Sequence, residues 1–164
     1  MSMQEVAPAT VVGKIPSGLF VLTARHPFSG QTTGMLISWV QQASFEPLMI
    51  TFALKRDRYL NLWLQDTPTV GLNLLGEGQK HLLMHFGKGF PPDQPAFEGL
   101  TIEVVPPGVP CITEALGFLL ASIRGQCAAG DHVLYLAEVH GARVGAGWTE
   151  AEPWVHLRRS GDHY

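Results

Sequence analysis

The sequence has few charged residues and no run of one sign that would suit a polyanionic partner. Lys and Arg together number 11 and Asp and Glu 14, so that charged residues make up 15% of the chain and the formal net charge is −3. The one local concentration of cations is Lys55, Arg56 and Arg58. Without a basic face there is no electrostatic basis for binding nucleic acid or an anionic membrane surface. We therefore expect a small-molecule or protein partner.

Targeting and membrane-spanning segments are also missing. The first ten residues lack the basic start and apolar core of a secretory signal, and no apolar run approaches the roughly 20 residues that cross a bilayer. The two cysteines, Cys111 and Cys127, have neither a metal-binding spacing nor the density of a disulfide framework. We expect a cytoplasmic protein in which both cysteines are buried or half-buried.

Several common catalytic signatures are absent. There is no phosphate-binding P-loop, no His-Glu-x-x-His zinc helix and no Gly-x-Ser-x-Gly nucleophile turn. Gly76 and Gly78 approach a dinucleotide fingerprint, but a histidine replaces its third glycine, which favours a turn with a helix start. His81 and His85 lie four residues apart on a predicted helix, yet no carboxylate or thiolate at a suitable spacing completes a site. We predict no metal.

Short apolar runs separated by Gly and Pro are what the sequence does contain. The chain of 164 residues is 46% hydrophobic, which is enough for one domain with a substantial core. Few helical patterns interrupt the strand-like runs, so a small antiparallel barrel or sandwich is expected. Residues 1–14 are predicted to be a flexible leader, and residues 87–99 an irregular loop. Strands are predicted at 15–24, from 34, at 48–54, 69–75, 100–105, 115–126, 132–140 and 154–157, with helices at 59–64 and 79–86.

Residues 34–44 are predicted to begin as a strand and end as a compact polar turn. Their hydroxyl and amide groups suit hydrogen bonding to a phosphate or a planar heterocycle, and a tryptophan adds aromatic surface. Cations after the next strand would supply charge for an anion. A solvated turn beside a core tryptophan is an equally good interpretation, and both stay open. The residues concerned are Ser38, Trp39, Gln41, Gln42, Ser44, Lys55 and Arg58.

His132 follows a Gly130-Asp131 pair at the start of a predicted strand. Asp131 can stabilise the turn through its own backbone while the imidazole projects from the first strand position. Turn chemistry is the favoured interpretation from the residues alone, and a ligand-contacting histidine is the alternative.

Taken together, these segments resemble the flavin reductase-like FMN-binding family. The likeness covers residues 15–164. Within the family it is strongest to the C-terminal flavin reductase module of cyanobacterial-type diflavin flavodiiron proteins. It is carried by residues 34–47, Lys55-Arg-Asp-Arg58, Val70-Gly-Leu-Asn-Leu-Leu75, Gly130-Asp-His132 and Arg159-Ser-Gly-Asp-His-Tyr164. The combination is specific although each piece alone is weak.

The resemblance implies a mainly β fold, an antiparallel, Greek-key-like split β-barrel with a few short helices. It also implies a homodimer with FMN bound noncovalently near the subunit interface, FAD being possible instead. By position, the flavin would contact Thr33, Ser38, Trp39, Gln41, Gln42, Ala43 and Ser44, while Lys55 and Arg58 would bind the phosphate. His132 would lie on the open side of the ring, where a nicotinamide can stack.

The implied activity is hydride transfer from NADH or NADPH to bound flavin, catalysed by an NAD(P)H:flavin oxidoreductase. The alternative is an FMN-binding electron carrier that accepts electrons from a protein partner. The diiron and flavodoxin-like domains of the diflavin relatives have no counterpart before Ile15. We therefore expect a free-standing module with a separate electron acceptor, whose identity the sequence does not indicate.

Overall fold

A computed structural model describes residues 3–162 and has three short helices. They are α1 (Pro8–Val12), α2 (Leu60–Asp66) and α3 (Lys80–Gly87). The strands are β1 (Ser17–Gly18), β2 (Phe20–Arg25), β3 (Thr32–Ile37), β4 (Val40–Ser44), β5 (Met49–Lys55), β6 (Thr69–Leu74), β7 (Ile102–Val105), β8 (Val109–Ile112), β9 (Gly117–Ala129), β10 (His132–Val144) and β11 (Val155–His156). Among the described residues, no helix is both long and apolar enough to cross a membrane.

The main sheet is closed by the link between its two edge strands. Seven antiparallel strands pair in the order β3-β2-β6-β9-β10-β5-β4, so β3 and β4 lie at opposite edges. Six spacings of about 4.8 Å would separate those edges by roughly 29 Å in a flat sheet. Only Ser38 and Trp39 connect them, and three Cα steps reach at most about 11 Å. The sheet must therefore curl until its edges meet, which confirms the predicted split barrel.

Alternating burial along β5 shows how the barrel is filled. Ile50, Phe52 and Leu54 are buried on one face, as the period of two predicts, and they belong to the main core cluster. Phe52 stacks on Tyr135 with ring centroids 5.0 Å apart. The strand ends at the exposed Lys55. One face of β5 therefore packs in the core while its end brings a cation to the surface.

Helix α2 covers one end of this core. Leu60, Trp63 and Leu64 are buried in the cluster that also contains Phe52, as the i,i+4 spacing predicts. Tyr59 occupies the N-cap position and makes no side-chain capping bond. The helix is stabilised mainly by burial of its apolar face.

Three details differ from the sequence predictions. Residues Val40–Ser44 form an edge strand and not a polar turn, because they pair with β5 and continue its ladder. Strand β8 was not predicted; its four residues are all buried against the barrel. Cys127 is exposed, because its end of the β9–β10 hairpin projects beyond the core, whereas Cys111 is buried as expected.

Strand β8 is attached to the barrel by buried polar groups. Asn73 donates through Nδ2 to the Val21 carbonyl at 3.0 Å and accepts through Oδ1 from the Ile112 amide at 2.8 Å. Thr23 donates to the Pro110 carbonyl at 2.6 Å. Asn73 is fully buried. Asn73, in the central strand β6, thus joins β2 and β6 to β8.

The N-terminal leader contains α1, which contacts the C-terminal segment, residues 155–162. The amide of Arg158 donates to the Gly13 carbonyl at 3.0 Å, and the amide of Gly161 donates to the Ala9 carbonyl at 2.7 Å. A Cβ atom on Gly13 would approach the Ser160 carbonyl carbon to 2.6 Å. Gly13 therefore permits the close approach of the two chain ends.

Gly13→Ala is expected to displace the C-terminal segment. Overpacking of this kind costs about 1–3 kcal/mol, and relief by local movement would break the two backbone hydrogen bonds. Hydrogen exchange at the amides of Arg158 and Gly161 should become faster. Gly125→Ala is the control, since no heavy atom lies within 4 Å of the Cβ that it adds. Unchanged exchange in Gly13→Ala would contradict this account.

Candidate functional site

A cavity lies where the barrel edges meet, between the β3–β4 link, the end of β5, the β9–β10 turn and the C-terminal segment. Its volume is about 550 Å³, which is within the usual range for a small-molecule site. The lining combines apolar side chains with both signs of charge. Lining residues are Leu19, Met35, Leu36, Ile37, Ser38, Trp39, Ala53, Leu54, Lys55, Arg58, Leu83, Gly87, Asp131, His132, His156, Arg158, Gly161 and Asp162.

Trp39 connects three parts of the cavity. It follows the buried Ser38 in the link that closes the barrel. Its ring lies 4.7 Å from the His132 ring at an angle of 43°, and the guanidinium carbon of Arg158 lies 4.9 Å from its centroid. A cation over an indole face is an attractive arrangement. The closure of the barrel thus assembles an aromatic and cationic surface from distant segments.

His132 is oriented by its neighbour in the turn between β9 and β10. Gly130 has a φ of 62°, the left-handed conformation that such turns require. His132 Nδ1 lies 2.8 Å from the Asp131 carboxylate, and the His132 side chain is only 12% exposed. This hydrogen bond, with the nearby positive charge, lowers the pKa of Asp131. His132 therefore takes part in the turn through its hydrogen bond with Asp131 and also lines the cavity. Both interpretations of this segment apply.

Lys55, the last residue of β5, and Arg58, in the loop that follows, approach the cavity. Both side chains line it, and Lys55 lies 3.4 Å from Asp57 in an exposed ion pair. The amide of Arg56 donates to the Asp131 carbonyl at 2.9 Å, which joins this loop to the β9–β10 turn. The segment that carries Lys55 and Arg58 is therefore hydrogen-bonded directly to the turn that carries His132.

Lysine, arginine and aspartate residues bring charge of both signs to the cavity. Burial lowers the pKa of His156, and the charge of Arg158 lowers it further, so this imidazole is neutral at pH 7. Lys55, Arg58 and Arg158 provide positive charge against Asp131 and Asp162. The arrangement suits a ligand with an aromatic body and an anionic group.

Comparison with known proteins identifies the family. The sequence profile described as "Flavin reductase like domain" matches residues 12–162. The chain belongs to the flavin reductase like domain family. It is 36% identical over 155 residues to "Diflavin flavoprotein A 1" of Synechocystis sp., an alignment that covers 93% of this chain and 26% of the relative. The chain thus spans about a quarter of the length of that relative, and the predicted family resemblance is confirmed.

Solved structures share the fold of this flavin reductase like domain. The Streptomyces globisporus C-1027 NADH:FAD oxidoreductase SgcE6 superposes with a TM-score of 0.83 at 24% identity, covering 96% of this chain and 94% of its own. The styrene monooxygenase flavin reductase SMOB from Pseudomonas putida S12 gives 0.74 at 22% identity, covering 90% and 91% respectively. These similarities establish a common architecture.

Five of the predicted site residues of this flavin reductase like domain line the cavity, and five do not. Those that line it are Ser38, Trp39, Lys55, Arg58 and His132. Thr33 is buried and does not line the cavity, and its hydroxyl lies 2.7 Å from that of Tyr59. Gln41, Gln42, Ala43 and Ser44 lie on the outer edge strand β4, where the first three are exposed. The structure does not bring these four residues to the cavity, and their role in flavin binding stays a prediction.

The cavity also includes residues that the sequence did not predict. Met35 and Ile37 line it. His156 and Arg158 enter through the pairing of β11 with β1, in which Ser17 opposes His156. In the sequence, β11 is indicated only by a Val-His pair after a tryptophan. So short a pattern does not show which distant strand pairs with β11.

His81 and His85, the candidate metal pair, have other partners. His81 Nε2 lies 2.9 Å from the Glu114 carboxylate, and His85 Nε2 lies 2.8 Å from the Ala96 carbonyl. Within residues 3–162, no three His, Cys, Asp or Glu side chains are grouped to hold a metal ion.

Proposed function

We propose that this chain binds FMN noncovalently and catalyses NAD(P)H-dependent flavin reduction. The observation that carries the proposal is a cavity of about 550 Å³ in which the Trp39 and His132 rings lie close together beside the cations Lys55 and Arg58. An aromatic surface next to paired cations is the chemistry that a planar ring with a phosphate requires. Membership of the flavin reductase like domain family supports the same conclusion.

The residues of the cavity divide into three roles under this proposal. Met35, Leu36 and Leu54 supply apolar surface for a planar ring, and the hydroxyl of Ser38 supplies a hydrogen-bonding group. Lys55 and Arg58 bind the phosphate. When bound, FMN supplies the ring that accepts hydride from NADH or NADPH, so the protein need only position the ring and leave one face accessible.

His132 is proposed to contact the nicotinamide. Its imidazole is oriented by Asp131 at 2.8 Å and lies against Trp39. Because Asp131 and Trp39 fix the imidazole, it can restrict how the nicotinamide ring approaches the flavin. Such positioning affects the rate of hydride transfer more than it affects flavin affinity.

Flavin titration tests the binding part of the proposal. The purified protein is expected to show a flavin absorption spectrum or to acquire one when FMN is added, with FMN bound more tightly than riboflavin because Lys55 and Arg58 bind its phosphate. A protein that takes up neither FMN nor FAD would contradict the proposal. Preference for FAD would retain the reductase and change only the cofactor.

Replacing His132 with Ala is expected to slow flavin reduction by about 10–100-fold, as expected when a positioning contact is lost. FMN affinity should change less than about threefold, because the phosphate contacts remain. Anaerobic stopped-flow reduction by NADH and fluorescence titration with FMN measure the two quantities. His140→Ala is the matched control, since His140 lies on the same strand but does not line the cavity. Unchanged reduction kinetics in His132→Ala would remove His132 from the mechanism.

We also propose that the chain forms a homodimer through the β4 edge. Among residues 3–162, strand β4 pairs only with β5, on one side, and Phe45, directly after β4, is 87% exposed. An open edge beside an exposed aromatic residue is a surface that proteins normally cover. A second protomer in this position would offer a route for Gln41, Gln42, Ala43 and Ser44 to contact flavin.

Two free cysteines are compatible with the expected cytoplasmic location.

A further inference from the structure

The cation loop, residues 55–58, is held by one side chain from α2. Asn61 Nδ2 lies 2.8 Å from the Lys55 carbonyl, 3.0 Å from the Arg58 carbonyl and 3.4 Å from the Arg56 carbonyl. The amide of Arg58 also donates to the Lys55 carbonyl at 3.1 Å. A primary amide has two N–H donors, so these carbonyls share them. Asn61 thus fixes the backbone at the two residues whose side chains enter the cavity.

Tyr135 fixes the orientation of the Asn61 amide. The Tyr135 hydroxyl lies 2.8 Å from Asn61 Oδ1. Backbone carbonyls only accept, so the NH₂ group of Asn61 must point to the loop and its oxygen to Tyr135. Burial raises the pKa of Tyr135, which keeps the hydroxyl protonated as a donor. The tyrosine ring is itself buried and stacked on Phe52.

The loop is therefore connected to the barrel core and to the β9–β10 turn at once. Asn61 and Tyr135 hold one side, and the hydrogen bond from the Arg56 amide to the Asp131 carbonyl holds the other. The cations Lys55, Arg56 and Arg58 repel one another, and the Asp57 carboxylate, 3.4 Å from Lys55, offsets only part of that repulsion. Without the Asn61 hydrogen bonds the loop would relax towards conformations that separate these charges.

We propose that Asn61, oriented by Tyr135, is a positioning residue that sets the affinity of the cavity for the flavin phosphate. It does so by holding the backbone of Lys55 and Arg58 in the conformation in which both cations approach one anion. This inference rests on the proposed function, because it assigns the Lys55 and Arg58 side chains to a phosphate.

The test compares FMN with riboflavin, which has the same ring system and no phosphate. Asn61→Ala is expected to weaken FMN binding about tenfold while riboflavin affinity changes less than about twofold. Tyr135→Phe should weaken FMN selectively and by a smaller factor, because the amide keeps its donors but loses its fixed orientation. Leu62→Ala is the control on the same helix, since Leu62 is 66% exposed. Fluorescence titrations measure both affinities for each variant.

Two results would overturn the inference. One is an equal loss of FMN and riboflavin affinity in both Asn61→Ala and Tyr135→Phe, which would mean general disruption of the cavity. The other is unchanged FMN affinity in both variants.

Removing the two cations separates this inference from the proposed function. If Lys55→Ala and Arg58→Ala weaken FMN binding but the Asn61 and Tyr135 variants do not, only the positioning role fails. If the unaltered protein binds no flavin, the proposed function fails with it.

Discussion

The double variant Lys55→Ala/Arg58→Ala is expected to bind FMN about a hundredfold more weakly than the unaltered protein. A hydrogen bond to a charged group contributes about 1.5–3 kcal/mol, and both side chains are largely exposed, so the lower value applies to each. Two such contributions give about 3 kcal/mol, or roughly a hundredfold in the dissociation constant. Riboflavin affinity should stay within about twofold, because riboflavin has no phosphate. Titrations at low and high salt should also show a weaker salt dependence in the variant.

The matched control removes the same amount of charge elsewhere. Lys14 and Lys80 are exposed and do not line the cavity, so Lys14→Ala/Lys80→Ala has the same net charge as the test variant. A comparable loss of FMN affinity in both double variants would mean that long-range charge, and not contact with the phosphate, governs binding. No loss in either would contradict the assignment of Lys55 and Arg58.

The Asn73→Leu variant is expected to lose about 3 kcal/mol of unfolding free energy. Leucine is close to asparagine in shape, but it leaves the Ile112 amide and the Val21 carbonyl without the partners that Asn73 supplies. A buried polar group without a partner costs about 1–3 kcal/mol. For a chain of this length that loss corresponds to roughly 10 °C in Tm.

Chemical denaturation and calorimetry measure this effect, and an exposed amide on a neighbouring strand provides the comparison. Gln126 is exposed on β9, so Gln126→Leu should change stability by less than about 0.5 kcal/mol. Equal stability of Asn73→Leu and the unaltered protein would show that Asn73 does not hold β8 to the barrel.

Local patterns predicted the elements that lie beside the site. The alternation of Ile50, Phe52 and Leu54 indicated the buried strand that delivers Lys55, and the spacing of Leu60 and Leu64 indicated α2. Each pattern was informative because one face of the element packs in the barrel core. Two other features depend on pairings between distant segments. Closure of the barrel at Ser38 and Trp39, and the entry of the C-terminal segment, are therefore not visible in any short stretch.

The predicted site residues that line the cavity are those in which residue type and fold position agree. Trp39 and Ser38 lie at the link that closes the sheet, and His132 lies at a hairpin turn beside it. Gln41 and Gln42 were assigned to a ligand-binding turn, but the structure places them on an edge strand, since polar residues suit an exposed strand as well as a turn. Arg158 was missed because its position over Trp39 depends on contacts between distant segments, namely the β1–β11 pairing and the hydrogen bond from its amide to Gly13.

Anaerobic mixing of the FMN-loaded protein with NADH, and separately with NADPH, tests flavin reduction itself. At least one nicotinamide is expected to bleach the bound flavin, at a rate near the median of enzymes, about 10 per second. Bleaching in the His132→Ala variant should be slower at unchanged FMN occupancy. Flavin that stays oxidised with both nucleotides would contradict the account and would favour an electron carrier reduced by a protein partner.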